Sequence, residues 1–197
     1  MNKRIVFVGA QSTGKTTILK KFEEDGTNLP IITEIVRNLA KEGVKINKDG
    51  DADSQVKIFD AYEEALAKNE FISDRGLLDV VAYTVYLARE GKVSTDFADD
   101  QLKLLHRFVN SNRDIIYCYF PIEFDVVDDG VRDLDEDFRK TIDENILSLL
   151  AAFNIQFVVV SGDVEERYAK VKKLINWIDM GNELFTIIDT SNTHVEE

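Results

Sequence analysis

The sequence contains few cysteines, prolines and glycines, and it has no long apolar run. One cysteine, two prolines and ten glycines occur among 197 residues. A single cysteine excludes an intramolecular disulfide framework, and Cys118, which lies in an apolar run, is expected to be a buried, unreactive thiol. The longest apolar runs, 115–120 and 157–160, are far shorter than the roughly 20 residues that cross a bilayer. We therefore expect a soluble protein of the reducing cytoplasm.

Basic residues are also scarce. The chain has 24 Lys and Arg residues against 37 Asp and Glu residues, which gives a net charge of −13. Such a charge repels polyanions, so we expect neither nucleic acid nor an anionic membrane surface as a partner. A small phosphorylated ligand remains compatible with it, because a few cations and a cluster of backbone N–H groups can hold phosphate inside an acidic protein.

Short apolar runs alternate with amphipathic helical segments along the chain. This alternation predicts an α/β three-layer fold, with a five-stranded, mainly parallel sheet covered by helices on both faces. Strands are expected at 4–8, 31–33, 71–73, 114–120 and 156–160. Helices are expected near 15–24, 34–41, 53–68, 77–89, 99–109, 136–153 and 164–178. We expect one domain over residues 1–197, with a polar surface loop at 44–53, a mobile acidic lid at about 122–136, and a tail at 184–189 that can add a strand.

The motif at the end of the first predicted strand carries the clearest chemistry. Gly9, four residues, and then Gly14-Lys15-Thr16 match the P-loop pattern, directly after an apolar strand and at the start of a helix. In that setting, backbone N–H groups and the helix N-terminus point at the phosphates of a nucleotide. Lys15 is expected to neutralise phosphate charge and the Thr16 hydroxyl to ligate Mg²⁺, so ATP and Mg²⁺ are the predicted cofactors. The predicted nucleotide-binding residues are Gly9, Gln11, Ser12, Thr13, Gly14, Lys15, Thr16 and Thr17.

Asp74 and the residues after it end the third predicted strand, where ligands gather in open α/β sheets. A carboxylate there can join the Mg²⁺ shell or accept a proton from an attacking hydroxyl, although Asp74 can also simply cap the next helix. Arg75 is expected to reach the acceptor or the transferred phosphoryl, and its alternative is a surface ion pair. Asp79 either lines the same cleft or faces water.

Four more charged residues are predicted near the acceptor and the lid. Glu34 and Arg37 can form a local ion pair, but their place after the second strand favours the acceptor pocket. Arg132 and Arg139 flank the acidic loop, and Arg132, beside Gly130, is the better candidate to close over the phosphates, with a solvated loop charge as the alternative. If the acceptor is a monophosphate, Arg37, Arg75 and Arg139 are expected to clamp its phosphate. The turn at 161–163 is a weaker candidate for holding adenine.

Together these motifs resemble the AAA-type P-loop family that includes the kinase domain of nicotinamide riboside kinases and related phage and bacterial nucleoside or nucleotide kinase-like ATPases. The features that carry the resemblance lie at 7–17, 34–37, 74–79, 129–132 and 138–139. They span about residues 4–172, nearly the whole chain. The resemblance implies a kinase-like sheet, a lid at 122–136, and an acceptor near Glu34, Arg37, Asp74 and Asp79. Thymidylate-kinase-like enzymes share the Asp-Arg dipeptide, so the acceptor stays open.

The favoured function is therefore that of an ATP-dependent small-molecule kinase in which Lys15, Asp74 and Arg132 are catalytic. Its acceptor is expected to be a nucleoside, nicotinamide riboside or a nucleoside monophosphate, and a homo-oligomer is compatible with the sequence. One alternative is a regulatory ATP- or GTP-binding module with a protein partner. A third, a kinase of modified bases in DNA, is disfavoured by the net charge of −13.

Overall fold

Five strands in the described part of the chain form one sheet, and all of their pairings are parallel. The computed structural model describes residues 2–124 and 135–180. The strands are β1 (Arg4–Val8), β2 (Ile31–Ile32), β3 (Phe71–Asp74), β4 (Ile116–Tyr119) and β5 (Phe157–Val159). Their order across the sheet is β2-β3-β1-β4-β5, which brings the carboxyl end of the central β1 beside those of β3 and β4. The predicted parallel sheet is confirmed.

Helices connect these strands and cover the sheet. The described residues form α1 (Lys15–Glu24), α2 (Ile35–Lys41), α3 (Ala52–Ala65), α4 (Leu77–Arg89), α5 (Thr95–Ser111), α6 (Glu136–Ala152) and α7 (Val164–Asp179), with a short 3-10 helix at Asn47–Asp49. Within these described stretches, none of the helices is both long and apolar enough to cross a membrane.

The strand residues alternate between two hydrophobic cores, one on each face of the sheet. Val6 and Phe71 pack with residues of α3, α4 and α6, whereas Ile5 and Ile72 pack with residues of α1 and α7. This alternation confirms the predicted three layers. Cys118 lies in the second core without solvent exposure, and burial raises the pKa of its thiol to about 12, as expected of an unreactive cysteine.

Some boundaries differ from the sequence prediction for local reasons. Helix α3 begins earlier than expected, because the cap is Asp51 rather than Asp53 or Ser54. The Asp51 carboxylate accepts from the backbone N–H of Ser54, and the Ser54 hydroxyl accepts from the N–H of Asp51. Helix α5 also begins earlier, because the Ser94 hydroxyl accepts from the N–H of Phe97. A capping side chain sets each start more firmly than the apolar pattern does.

Two predicted features fall outside the described residues. Most of the predicted lid lies in residues 125–134, which include Arg132, and the predicted tail strand lies in residues 181–197. The lid, the role of Arg132 and the extra strand therefore stay predictions.

Candidate functional site

The loop between β1 and α1 is shaped by residues with unusual backbone angles. Gly9 has φ +148°, and a Cβ atom there would lie 2.5 Å from the carbonyl oxygen of Phe120. Gly14 caps α1 with φ 87°, and Ser12 adopts a left-handed φ of 58°. These conformations turn the chain sharply enough to close a loop over the helix N-terminus, and the first of them admits only glycine. The motif glycines are thus required by the backbone itself.

Lys15 lies inside this loop. Its side chain is buried, and its Nζ donates to the carbonyl oxygens of Gly9 and Ala10, both at 2.7 Å, and to the hydroxyl of Thr13 at 3.0 Å. These contacts hold one positive charge at the centre of the loop. When a nucleotide binds, its phosphate oxygens would replace the carbonyl oxygens as hydrogen-bond partners of Lys15. The predicted charge-neutralising position of Lys15 is compatible with this geometry.

Thr16 and Asp74 meet at the ends of α1 and β3. The Thr16 hydroxyl donates to Asp74 Oδ2 at 2.6 Å. The other carboxylate oxygen, Oδ1, is buried and has no hydrogen-bond partner among the described residues. Helix α4 is capped by Gly76, so Asp74 does not serve as its cap.

An unpartnered carboxylate oxygen beside a hydroxyl fits a hard divalent cation such as Mg²⁺, which prefers oxygen ligands. Within residues 2–124 and 135–180, no group of three or more His, Cys, Asp or Glu side chains is arranged to hold a metal ion alone. A cation at Thr16 and Asp74 would therefore take its remaining ligands from nucleotide phosphates and water, as Mg²⁺ does in phosphate-transfer sites.

Asp79 is buried, so the alternative in which it faces water is wrong, and the alternative in which it lines the same cleft stays a prediction. Its carboxylate is buried and accepts from the backbone N–H groups of Gly9 at 3.2 Å and Gly76 at 3.1 Å. It also lines a small cavity with Tyr62 and Tyr83, but it does not face water. Burial raises the pKa of Asp79 to about 6, against the lowering effects of Lys15, Arg75 and the two N–H groups. Asp79 therefore connects the start of the phosphate-binding loop to the start of α4.

This raised pKa makes stability depend on pH. Because the folded protein holds the Asp79 proton more tightly than the unfolded chain does, the resulting stability is greatest below the ordinary pKa of 3.8 and is lost as pH rises through about 6. Between pH 5 and 7.5, we expect the unfolding free energy of the wild-type chain to fall by about 1 kcal/mol relative to Asp79→Asn. Urea unfolding at several pH values measures this difference. The exposed Asp60→Asn is the matched control, and a pH-independent Asp79 difference would contradict the assignment.

A cavity opens at the carboxyl ends of β2 and β3. It is lined by Gln11, Thr16, Glu34, Ile35, Val36, Arg37, Ile46, Asn47, Tyr62, Asp74 and Arg75. Glu34 and Arg37 both line this cavity and lie 3.4 Å apart as the ion pair that one of the two sequence interpretations predicted. Their place in an acceptor pocket stays a prediction. Glu34 and Arg75 have left-handed φ angles of 62° and 75°. Such angles are costly for residues other than glycine and cluster at functional sites.

The Arg75 guanidinium is available to an anion. It lies over the Tyr83 ring, 5.9 Å from the centroid, and donates no hydrogen bond to any residue in the described parts of the chain. Burial by itself would lower the pKa of Arg75, but Tyr83 and Asp74 raise it above its ordinary value, so the group stays charged. A charged fork of N–H donors without acceptors is suited to a carboxylate or phosphate.

A second and larger cavity, of about 290 Å³, lies on the other side of Thr16, Asp74 and Arg75. Its further lining residues are Ser12, Thr13, Gly14, Lys15, Thr17, Ile18, Phe124, Val164 and Arg167. Phe124 and Val164 are 45% and 40% exposed and provide an apolar surface next to the loop. Val164 directly follows the turn at 161–163 that the sequence associated with adenine. Thr16, Asp74 and Arg75 line both cavities, so the two spaces meet at these residues.

Two buried arginines contact the backbone of the loop, and the sequence analysis predicted neither contact. Arg139 does not line either of these cavities; it is buried against the loop, where its Nε donates to Gln11 O at 3.0 Å. Arg167, which the sequence analysis did not select, is equally buried and donates to Thr13 O. The available signal for Arg167 was its position four residues after the helix-capping Asp163, close to the end of the last strand.

A family model described as an AAA domain matches residues 4–167. No curated protein sequence matches the chain.

Solved structures with a similar fold include NadR protein in complex with NR, at 18% identity and a TM-score of 0.69, covering 92% of this chain and 52% of that one. NadR in complex with NAD and AMP-PNP matches at 15% identity and a TM-score of 0.66, covering 93% of this chain and 51% of that one. Deoxyadenosine kinase from M. mycoides with bound dATP matches at 18% identity and a TM-score of 0.61, covering 88% of this chain and 99% of that one. This chain thus spans about half the length of the NadR chains. The likeness confirms the α/β P-loop fold.

Proposed function

The chain belongs to the AAA domain family, and from this premise we propose that it is an ATP-dependent kinase that phosphorylates a nucleoside, nicotinamide riboside or a nucleoside monophosphate. The observation that carries the proposal is the pair of cavities that meet at Thr16, Asp74 and Arg75. A nucleotide hydrolase needs only the cavity at the loop, whereas a kinase needs a second cavity for the acceptor beside the transferred phosphoryl.

The larger cavity is assigned to ATP. Backbone N–H groups of the loop and the Lys15 ammonium would hold the phosphates, and the apolar surface of Phe124 and Val164 would contact the base. Thr16 and Asp74 would hold Mg²⁺, which supplies neutralisation of phosphate charge when bound. NadR in complex with NAD and AMP-PNP and deoxyadenosine kinase with bound dATP have a similar fold, which supports a nucleotide ligand for this chain.

The smaller cavity is assigned to the acceptor. Its walls combine aliphatic side chains with Tyr62, and its charged groups are Glu34, Arg37, Asp74 and Arg75. A nucleoside would place a hydroxyl near the carboxylates, and a monophosphate would in addition place its phosphate on Arg37 and Arg75. The NadR complex with NR and the identity of the other relative as a deoxyadenosine kinase support a nucleoside-like acceptor.

The proposed reaction is a single displacement. The acceptor oxygen forms a bond to the γ-phosphorus of ATP as the bond from that phosphorus to the bridging oxygen breaks, and ADP leaves. When the acceptor is a hydroxyl group, a carboxylate of the acceptor cavity takes its proton, for which Asp74 and Glu34 are the candidates. Lys15 and Arg75 offset the charge on the transferring group, and the sequence-predicted Arg132 is proposed to join them.

The test is acceptor-dependent release of ADP. The full chain with ATP and Mg²⁺ is assayed against nucleosides, nicotinamide riboside and nucleoside monophosphates. We expect at least one acceptor to raise ADP release by about 100-fold or more, because a positioned hydroxyl outcompetes water at the phosphoryl group. The class of the stimulating acceptor then separates nucleosides from monophosphates.

Asp74→Asn is the inactive control for this assay, and the exposed Asp60→Asn is the control for a surface substitution. If ADP is released at the same rate with every acceptor and without one, the proposed kinase activity is wrong. ATP binding without any acceptor effect would favour the regulatory nucleotide-binding module instead.

A further inference from the structure

Two buried arginines hold the backbone of the phosphate-binding loop. Arg139 comes from α6 and Arg167 from α7, and the side chain of each is 1% exposed. Arg139 Nε donates to Gln11 O at 3.0 Å and its Nη2 donates to Ser12 O at 3.2 Å. Arg167 Nη1 donates to Thr13 O. Burying two guanidinium charges is costly unless their hydrogen bonds are made, and here the loop carbonyls provide part of them.

These contacts complete a continuous set along the loop. Lys15 donates hydrogen bonds to the carbonyl oxygens of Gly9 and Ala10, and the two arginines donate to those of the next three residues. Every carbonyl oxygen from residue 9 to residue 13 therefore accepts from a cationic side chain. In a planar trans peptide unit, the N–H of the following residue points opposite to the carbonyl. Fixing the carbonyls of residues 11–13 thus fixes the directions of the N–H groups of residues 12–14.

The loop needs such support, because its conformation is not favoured locally. Ser12 has a left-handed φ of 58°, an angle that costs about 1 kcal/mol or more for a residue with a side chain. A strained conformation of this kind persists only where surrounding contacts determine it. Arg139 donates to the carbonyl of Ser12 itself, and Arg167 to that of the next residue.

The same two arginines also hold the segment that follows β4. Arg139 Nη2 donates to Phe124 O at 2.6 Å. Arg167 Nη2 pairs with the Glu123 carboxylate, and its guanidinium stacks on the Phe124 ring at 4.7 Å from the centroid. Glu123 in turn accepts from the N–H of Gly162. Each arginine thus joins the loop to one wall of the larger cavity.

We propose that Arg139 and Arg167 are positioning residues that hold the N–H groups of residues 12–14 toward the phosphates of ATP. They act through the loop carbonyls and do not bind the acceptor. The proposal rests on nucleotide binding by the loop, and it is independent of phosphoryl transfer. It replaces the sequence-predicted role of Arg139 as a clamp on the acceptor.

Calorimetric titration of the full chain with ATP and Mg²⁺, without acceptor, tests the proposal. Arg139→Lys and Arg167→Lys keep the charge but lose the fork that spans several oxygens. We expect each to weaken ATP binding about 10- to 100-fold, because loop carbonyls lose donors and the N–H groups lose their fixed directions. If the acceptor assay succeeds, the KM for ATP should rise and the KM for the acceptor should stay unchanged.

Arg4→Lys is the matched control, because Arg4 is also a buried arginine. It donates to Leu66 O and Asn112 and pairs with Asp114, away from the loop. We expect it to lower the melting temperature as the other two do, with ATP affinity within about twofold of wild type. Unchanged ATP affinity in both folded loop variants, or an equal loss in Arg4→Lys, would overturn the proposal. Because no acceptor is present, failure of the kinase assay leaves this result intact.

Discussion

Replacing Lys15 by methionine should lower kcat/KM for phosphoryl transfer by about 1,000-fold, which corresponds to roughly 4 kcal/mol of transition-state stabilisation. Lys15 is a buried cation inside the loop, and its ammonium contacts the carbonyl oxygens of Gly9 and Ala10. Methionine has a similar length and no charge, so it leaves the phosphates without this cationic partner. Steady-state kinetics with saturating acceptor measure the effect.

Lys20→Met is the matched control for this experiment. Lys20 lies on the same helix as Lys15, but its side chain is exposed. Its loss is expected to change kcat/KM by less than about threefold, since an exposed charge is screened by water and salt. A Lys15 variant that keeps more than a tenth of the wild-type activity would argue against a role for Lys15 in phosphoryl transfer.

Asp74→Asn should be the other severe substitution, with kcat lowered by about 1,000-fold and a higher Mg²⁺ concentration needed for half-maximal rate. The variant keeps an oxygen that can accept from Thr16, but it loses the negative charge and the unpartnered Oδ1 that fit a cation. Rates measured over a series of Mg²⁺ concentrations separate the two effects.

Glu34→Gln provides the comparison, because Glu34 lines the acceptor cavity and is paired with Arg37. If Glu34 is the proton acceptor, its loss lowers kcat and leaves the Mg²⁺ dependence as in the wild type. An Asp74→Asn enzyme with wild-type Mg²⁺ dependence would contradict the assignment of Asp74 to the cation. That result would leave Asp74 as a proton acceptor only.

The fold was predictable because its signals are local and repeated. Each parallel strand contains a short apolar run, with β1 and β4 buried on both faces, and helices with an apolar period lie between the strands. The loop from Gly9 to Thr16 combines a strand, a fixed glycine spacing and a helix start within a few residues, so its shape could be inferred without any long-range contact. The predicted starts of helices were less accurate, because one capping side chain such as Asp51 decides where a helix begins more strongly than the apolar pattern does.

The candidate site was predictable only in part, for physical reasons. Asp74 could be placed beside Thr16 because Asp74 ends β3 and Thr16 follows β1, and a parallel sheet brings the carboxyl ends of these two strands to one edge. Arg167 and Thr13 lie far apart in the sequence, and an arginine on a helix is normally a surface residue, so nothing local marks its burial. Asn47 lines the acceptor cavity from a polar segment that was expected to be a surface loop, because the packing of Ile46 against the core has no periodic signature.

An anion that approaches this protein meets two opposing electrostatic effects. The net negative charge of the chain repels it, and the two arginines and the lysine at the loop attract it at short range. Beyond one Debye length, roughly 8 Å at physiological salt, an approaching anion meets little of either field, and at lower salt it meets the repulsion of the net charge of −13. Inside that distance, an anion in the loop comes close to the cations of Lys15, Arg139 and Arg167, which all contact the loop backbone. A small anion that enters the loop completely is therefore attracted by these cations. A long polyanion leaves most of its charges outside the loop, where the net negative charge of the protein repels them.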